Sequence, residues 1–454
     1  MMKKYLLLIL TCCSNMFAWA QHDVTLTSLR RTYQSTYMNP AFMPQYGTSV
    51  GIPVLSNIFI NNTRVGFTLQ DIIDSKSNDT TLDINTFASK ISGDGIGFQT
   101  AINTDLFHVS FPIGSYQVSI HSGIRSQNNQ MFGKDFIGFF ANGNEFFRGR
   151  TAVLEPLRIY SLNYVENGIS VAKQFRKLSV GVRGKYFQGI SVTKTENLSL
   201  SFFTPENRFD PVKVTTNGKL QTSGIPLLLD SVTGQPRNND EKEFNAENLY
   251  AFNNNGFGLD AGFTYKVLRN LMVHASLIDF GSITWRNNTY NYTLSGNEVS
   301  TSGITYDQVN DNSVGRYGDS LLNLLVDSKI TRESFKTALQ SRYLAGADWD
   351  FTKRDRLGFL FQGRSFGSLL TTSYTASYTR RMSTNWDLTA NYTINNYIKN
   401  TVGFGSAVKW GPVQLYIVSD DLLVLFQPNL RNIVYLRLGL NLVFTNNLKV
   451  VTNY

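Results

Sequence analysis

The feature that most constrains the fold is a strict two-residue alternation near the C-terminus. In VYLRLGLNLVF (434–444), an apolar side chain fills every second position, and Tyr435, Arg437, Gly439 and Asn441 lie between them. Successive side chains of a β-strand point to opposite faces. The segment is therefore predicted to be a strand with one hydrocarbon face and one polar face.

The same alternation recurs along the chain, and its charges fall on one face only. Many of these segments reach 9–11 residues, about the length that a tilted strand needs to cross a bilayer. A Lys or Arg on the lipid side at the midplane would cost about 2–4 kcal/mol. The pattern predicts an all-β fold, a transmembrane antiparallel up-and-down β-barrel of about 14 strands, within about 12–16. The further segments are 118–125, 178–186, 256–266, 342–351, 357–364 and 384–394.

The polar face of these strands is predicted to line the lumen, because an extended chain crosses lipid only in a closed barrel. Both signs of charge occur there. They favour ion-paired networks, or a lumen partly filled by a plug, over a selectivity ring of one sign. A purely structural role for these charges is the alternative. The candidate lumen-facing polar residues are Arg125, Arg183, Lys185, Asp260, Lys266, Asp348, Asp350, Arg364, Asp387, Arg437 and Asn441.

Residues 1–20 have the pattern of a secretory signal peptide. Lys3 and Lys4 precede an apolar centre, and Ala18-Trp19-Ala20 forms a small-x-small cleavage site. A lipoprotein signal competes, because Cys12 and Cys13 follow the apolar centre. The mature sequence contains no cysteine, so it has neither a disulfide framework nor thiol chemistry, as suits a Gram-negative envelope.

The mature chain, 21–454, is predicted to be one barrel domain. No stretch of it approaches 18 continuous apolar residues, the length of a transmembrane helix. Polar intervals at 204–255 and 286–335 are predicted to be long loops, and 320–339 can form one or two short amphipathic helices. Phe444 is expected to close the last strand, with a further short strand ending at Tyr454 as the alternative.

Catalytic and nucleic-acid-binding functions find little support. The sequence has four histidines and none of the H-E-x-x-H, C-x-x-C or G-x-S-x-G motifs. The net charge is +9, but the basic residues are scattered. We therefore predict no enzyme activity, no catalytic residue, no cofactor, no metal site and no nucleic-acid partner.

Several stretches together resemble a known family. SLRRTYQSTYMNPAFMPQY (28–46), GLDAGFTYKVLRNLMVHASLIDFGSITW (258–285) and LRLGLNLVF (436–444) look like an uncharacterised family of Bacteroidota outer-membrane barrels. More distantly, they are similar to FadL-like fatty acid transporters and to the PorV-type barrels of type IX secretion. The resemblance implies a FadL-like barrel with its N-terminal segment (21–48) in the lumen as a hatch. The candidate hatch residues are Tyr37, Asn39, Pro40, Ala41 and Phe42.

Two functions follow as hypotheses for such a barrel in the outer membrane. The first is binding or passage of a small molecule, hydrophobic molecules included, across that membrane. The second is a non-catalytic scaffold for type IX secretion, gliding or surface assembly, whose partners would be secretion or surface-assembly proteins. Outer-membrane lipid is a partner in both. A soluble secreted β-sandwich is the remaining alternative.

Overall fold

The computed structural model describes residues 23–44, 47–75, 84–91, 95–207, 210–224, 253–301, 329–366, 369–395 and 400–444. The predicted signal peptide and Tyr454 lie outside these residues. None of the helices in the described ranges is long and apolar enough to span a membrane. The strands are β1 (Thr48–Gly51), β2 (Ile58–Val65), β3 (Gly95–Ile113), β4 (Tyr116–Gly133), β5 (Arg150–Val153), β6 (Leu157–Gln174), β7 (Leu178–Thr204), β8 (Val212–Ser223), β9 (Asn255–Lys266), β10 (Leu271–Trp285), β11 (Thr289–Thr301), β12 (Lys329–Thr331), β13 (Phe335–Ala338), β14 (Arg342–Asp350), β15 (Asp355–Phe366), β16 (Leu369–Ser383), β17 (Trp386–Asn395), β18 (Thr401–Trp410), β19 (Val413–Ser419) and β20 (Ile433–Phe444). The α-helices are α1 (Leu69–Ile73), α2 (Ile84–Lys90) and α3 (Lys134–Asn142), and 3-10 turns cover Thr25–Ser28, Tyr33–Tyr37, Asn144–Phe147 and Leu422–Leu425.

Fourteen antiparallel wall strands close into a barrel, which confirms the predicted fold class and strand number. The first wall strand consists of β1 and β2, which both pair with β3 on one side and β20 on the other. The wall then runs through β4, β6, β7, β9, β10 and β14 to β20 by antiparallel pairing of neighbours. Within the described residues, closure pairs every wall strand with a neighbour on both sides, as a strand that crosses lipid requires.

The two faces of the wall differ as the alternation predicts. On β20, Arg437 and Asn441 are 3% and 0% exposed, whereas Val434 and Phe444 are 42% and 46% exposed. Apolar side chains on the outside can contact acyl chains, while polar side chains on the inside stay out of lipid. Exposed aromatic residues gather near the short turns at one end, as in the girdles of membrane barrels. They include Tyr116, Phe175, Tyr265, Trp349, Trp386 and Trp410.

The predicted long loops contain strands, and this corrects the sequence-based expectation. The interval 204–255 includes β8, and 286–335 includes β11 and β12. Together with β5 and the far end of β7, these strands extend the sheet beyond the barrel on the long-connection side. The prediction of short helices in 320–339 is wrong for the described residues 329–339, which contain β12 and β13. There β13 continues the wall beyond β14, since both pair with β10.

The first wall strand is interrupted between its two parts. Residues 52–57 leave the strand line, and Val54 has a φ of +65°. Val54 and Leu55 remain half-exposed on the outside, whereas Ser56 and Asn57 are buried on the inside. The first wall strand therefore has a local break at 52–57 that stays bonded to both neighbours. The N–H of Val54 donates to the carbonyl of Asp105 on β3 (2.9 Å), and the N–H of Leu440 on β20 donates to the carbonyl of Leu55 (2.9 Å).

Candidate functional site: a plugged lumen with a charged cavity

The N-terminal segment lies inside the barrel. We call residues 23–44 the plug, because all but a few of their side chains are buried within the wall. The plug begins in the middle of the lumen and descends to the short-turn end, where Arg31 donates to the carbonyl of Thr384 (2.7 Å). It then crosses to the opposite wall, where Phe42 packs edge-on against His274.

Glycines in the wall make room for the plug where it crosses β7 and β9. A Cβ at Gly181 would lie 2.3 Å from the backbone of Pro40, and one at Gly262 would lie 2.2 Å from Oδ1 of Asn39. Asn39 uses this close approach to donate to the carbonyls of Phe263 (3.2 Å) and Ala275 (3.1 Å). The Asn-Pro turn is thus fixed against the wall backbone.

Polar contacts tie the plug to strands around the barrel. Arg30 pairs with Asp348 on β14, and Arg31 pairs with Asp387 on β17 (3.2 Å). The Gln34 amide donates to Asn441 on β20 (3.0 Å). Apolar side chains of the plug share one buried cluster with wall residues, so burial supports the polar anchors. That cluster includes Leu26, Leu29, Met38, Ile278, Leu344, Leu360 and Tyr416.

A layer of ion pairs lies next to the plug on the long-connection side. At its centre, Nζ of Lys185 lies 3.2 Å from Glu166 and 3.0 Å from Asp260, and also contacts Asp279. These groups are buried, so their charges are weakly screened. The layer continues through Arg183–Asp260 (3.2 Å), Arg125–Glu166 (3.3 Å), Arg125–Asp105 (3.0 Å), Arg342–Asp279 (3.0 Å), Arg342–Asp23 (3.2 Å) and Arg437–Asp23 (2.7 Å).

These charged side chains line a partly open cavity of about 60 Å³. By the usual requirement of about 10–15 Å³ per water, it could hold only a few water molecules. Farther toward the long connections the lumen becomes apolar, and Tyr164 belongs to both regions. The apolar layer comprises Tyr160, Leu162, Tyr164, Phe187, Val192, Ile283, Trp285, Phe335 and Leu339.

Nine of the eleven sequence-predicted lumen residues are buried inside. Six of them belong to the charged layer or line its cavity: Arg125, Arg183, Lys185, Asp260, Arg364 and Arg437. Asp348, Asp387 and Asn441 contact the plug. Lys266 and Asp350 are not inside the lumen: each is the last residue of its strand, beside a short turn, and is exposed.

All five candidate hatch residues lie in the plug and are buried. The Tyr37 hydroxyl donates to Asp105 on β3 (2.6 Å), and Asn39 also accepts from the backbone N–H of Ala41 (2.9 Å). Pro40 lies against β7, and Phe42 stacks under the guanidinium of Arg30.

Five residues of the charged layer were not among the sequence-based candidates. Asp105 and Asp279 lie at irregularities of β3 and β10, where a bulge breaks the two-residue phase. Asp279 has a φ of +61°, which an alternation pattern cannot show. Arg342 follows the inward phase predicted for its strand and could have been found by extending it, whereas Glu166 lies on β6, for which the sequence indicated no polar face. Asp23 lies in the plug, where no periodic signal exists.

Asp420, in the loop after β19, also contacts the plug. It accepts hydrogen bonds from the backbone N–H of Thr25 (3.1 Å) and from the Thr25 hydroxyl. Burial, with a further contribution from the nearby Asp23 carboxylate, raises the pKa of Asp420 to about 7, although Thr25 and Arg437 oppose the shift. The carboxyl therefore ionises near neutral pH while it holds the plug.

We expect Asp420→Asn to remove part of the pH dependence of stability. An acid with a raised folded pKa destabilises the fold as it ionises, so the free energy of unfolding falls from about pH 4 to about pH 7. Relative to wild type, the denaturant midpoint of unfolding of the variant should therefore increase as the pH is raised from 4 to 8. A difference that stays constant over this range would contradict the assignment.

A closed antiparallel barrel with an apolar outer belt and an internal plug defines the chain as a transmembrane β-barrel of the outer-membrane type. Its sequence belongs to the family of unknown function DUF5723, which matches residues 40–420. The sequence matches no curated protein.

Several solved structures match most of this chain at low sequence identity. A FadL homologue of Pseudomonas aeruginosa is 9% identical, with 94% of this chain and 99% of that chain covered and a TM-score of 0.44. The toluene transporter TodX of Pseudomonas putida is 9% identical, with coverages of 95% and 98% and a TM-score of 0.41. The toluene transporter TbuX of Ralstonia pickettii is 9% identical, with 89% of this chain and 92% of that chain covered and a TM-score of 0.42.

Proposed function

We propose that the protein passes a small, partly apolar molecule across the outer membrane, and that the plug is the part that moves. The observation that carries this proposal is the layering of the lumen. A charged cavity lies between the plug and an apolar layer, so a molecule with a polar group and an apolar body would meet matching surroundings in order.

The interrupted first wall strand supports a route out of the lumen. Asn57 lines the cavity, while Val54 and Leu55, only a few residues away, are exposed on the outer surface. The Ser56 carbonyl in this break accepts hydrogen bonds from the Tyr416 hydroxyl on the wall and from the Gln34 amide of the plug. Movement of the plug would remove the Gln34 bond and so loosen the break at the same time.

A reversible tether tests whether the plug must move. Asn39→Cys with Gly262→Cys would place two thiols where the Asn39 side chain now meets β9, and residues 21–454 contain no other cysteine. The protein would be produced in a Gram-negative host that lacks its own long-chain uptake barrel. Uptake of radiolabelled dodecanoate and dodecanol would then be measured.

We expect wild-type protein to raise uptake of at least one probe above the empty host. The oxidised double variant should lose this uptake, and dithiothreitol should restore it. The two single-cysteine variants should be insensitive to oxidation, because they cannot form the tether. Uptake at the level of the empty host, also after deletion of residues 23–44, would refute passage, and uptake unchanged by the oxidised tether would refute plug movement.

The sheet beyond the barrel favours docking of a protein as a second candidate function. β5, β7, β8, β11 and β12 form this sheet, and it has a core of its own against α3. A surface built on a rigid frame commonly carries binding sites. Crosslinking in native membranes with a photoreactive residue at exposed Lys213 would recover a partner, whereas exclusive self-crosslinking or none would count against a scaffold.

A further inference from the structure

Among the described residues, the side chains that donate to Asp23 all belong to the wall. Arg437 donates to one oxygen of this carboxylate (2.7 Å), and Arg342 donates to the other (3.2 Å). The Tyr435 hydroxyl also donates to the oxygen that Arg437 contacts. Two guanidinium groups and a phenol on two oxygens form a charge-assisted carboxylate site, and the plug supplies the carboxylate.

We propose that Arg342, Arg437 and Tyr435 form a binding site for the carboxylate group of a solute, which Asp23 occupies while the plug is closed. The inference rests on the proposed function, because it names the chemical group that would compete with the plug. A solute carboxylate in this cradle would leave the Asp23 side chain without its wall partners and free the start of the plug.

The charge of the layer supports an exchange of anions at this site. Six cations line the cavity, and five carboxylates, Asp23 included, neutralise most of their charge. Without Asp23 the excess rises to two positive charges in a buried region, where an unpaired charge is costly. The site therefore favours another anion over an empty cradle. The six cations are Arg125, Arg183, Lys185, Arg342, Arg364 and Arg437.

Access and spare donors support the same inference. Asp23 lines the cavity, and its side chain is 13% exposed, compared with 4% for Arg437. The Nε–H groups of Arg437 and Arg183 are buried without a partner among the described residues, and both residues line the cavity. A ligand that extends from the cradle into the cavity could accept from these donors.

Binding of acetate to purified protein in detergent tests the proposal without any assumption about transport. Asp23→Ala removes the internal carboxylate and leaves room for an acetate ion. We expect acetate to bind this variant at least about tenfold more tightly than wild type, the scale of a charge-assisted hydrogen bond. Calorimetry at pH 7.5, with sodium chloride at matched ionic strength as reference, measures the difference.

The matched control is Asp23→Ala combined with Arg437→Gln, which should lose acetate binding. Circular dichroism and gel mobility would establish that each variant is folded. Equal acetate affinity in wild type and Asp23→Ala, or no binding to a folded Asp23→Ala barrel, would overturn the proposal. Uptake in the tether experiment together with either of these results would refute the carboxylate site and leave the proposed function standing. Acetate binding to Asp23→Ala without any uptake would refute the proposed function and leave the carboxylate site standing.

Discussion

Replacement of Lys185 by methionine is expected to destabilise the barrel by about 3–5 kcal/mol, the usual cost of breaking a buried ion pair. Glu166 and Asp260 lie within 3.2 Å of Nζ, and Asp279 also contacts it. Methionine has a similar length and no charge. The three carboxylates would then face one another without the shared ammonium group. Arg183, Arg125 and Arg342 would offset their mutual repulsion only in part.

Chemical unfolding in lipid vesicles would measure this loss. Lys177→Met is the matched control, because Lys177 is an exposed residue of the turn between β6 and β7, and it should change stability by less than about 0.5 kcal/mol. Adding Asp279→Asn to Lys185→Met should recover part of the loss, since one of the three carboxylates disappears. A Lys185→Met barrel as stable as wild type would show that the charged layer contributes little.

Replacement of Gly181 by valine is expected to dislodge the plug without disrupting the wall. The added Cβ would lie 2.3 Å from the carbonyl carbon and oxygen of Pro40 and 2.5 Å from the backbone nitrogen of Ala41. These backbone atoms cannot rotate away. The Asn-Pro turn must therefore leave β7, and the bonds of Asn39 to the wall carbonyls would be lost with it.

Cleavage by trypsin measures whether the plug leaves the lumen, because trypsin cuts after arginine. In the docked plug, Arg30 and Arg31 are held by ion pairs inside the lumen, where the protease cannot reach them. Overpacking costs about 1–3 kcal/mol, so we expect cleavage after these residues to be roughly five- to a hundredfold faster in Gly181→Val. Gly184→Val is the control. It lies on the same strand with open space at its Cβ position, and it should be cleaved at the wild-type rate.

Alternation along the strands predicted the wall well because lipid on one side and a polar lumen on the other impose a period of two. In β20, the inward and outward positions are those that the sequence indicates. The prediction went too far at Lys266 and Asp350. Both keep the inward phase, but a period cannot tell where the lumen ends and the rim begins.

The composition of the charged layer was less predictable, for a physical reason. Bulges at Asp105 and Asp279 shift the phase of β3 and β10, and such shifts depend on partners that are distant in the chain. On β6, Glu166 follows inward-facing Tyr164 and Leu162 and precedes Gly168 and Ser170, so one charge lies between an apolar stretch and a stretch of small neutral residues on that face. A local pattern of this kind does not reveal which face is wet.

The path of the plug depended on resemblance rather than on pattern. Its short 3-10 turns carry no long period, and its contacts join residues that are hundreds of positions apart, such as Gln34 and Asn441. Wall glycines at 181 and 262 mark its contact line only after the register of β7 and β9 is known. The resemblance therefore placed 21–48 in the lumen as a whole, but it named no site residue before Tyr37, and Asp23 and Arg30 were not among the candidates.

Hydrogen exchange of the wild-type barrel tests most directly whether the N-terminal segment fills the lumen. Peptides covering residues 24–42 would be compared with peptides from β4 and β7 after exposure to deuterated buffer in detergent or nanodiscs. A docked plug predicts slow exchange over minutes to hours, with a similar rate in Gly184→Val and faster exchange in Gly181→Val. Complete exchange of 24–42 within seconds in the wild type would contradict a plugged barrel.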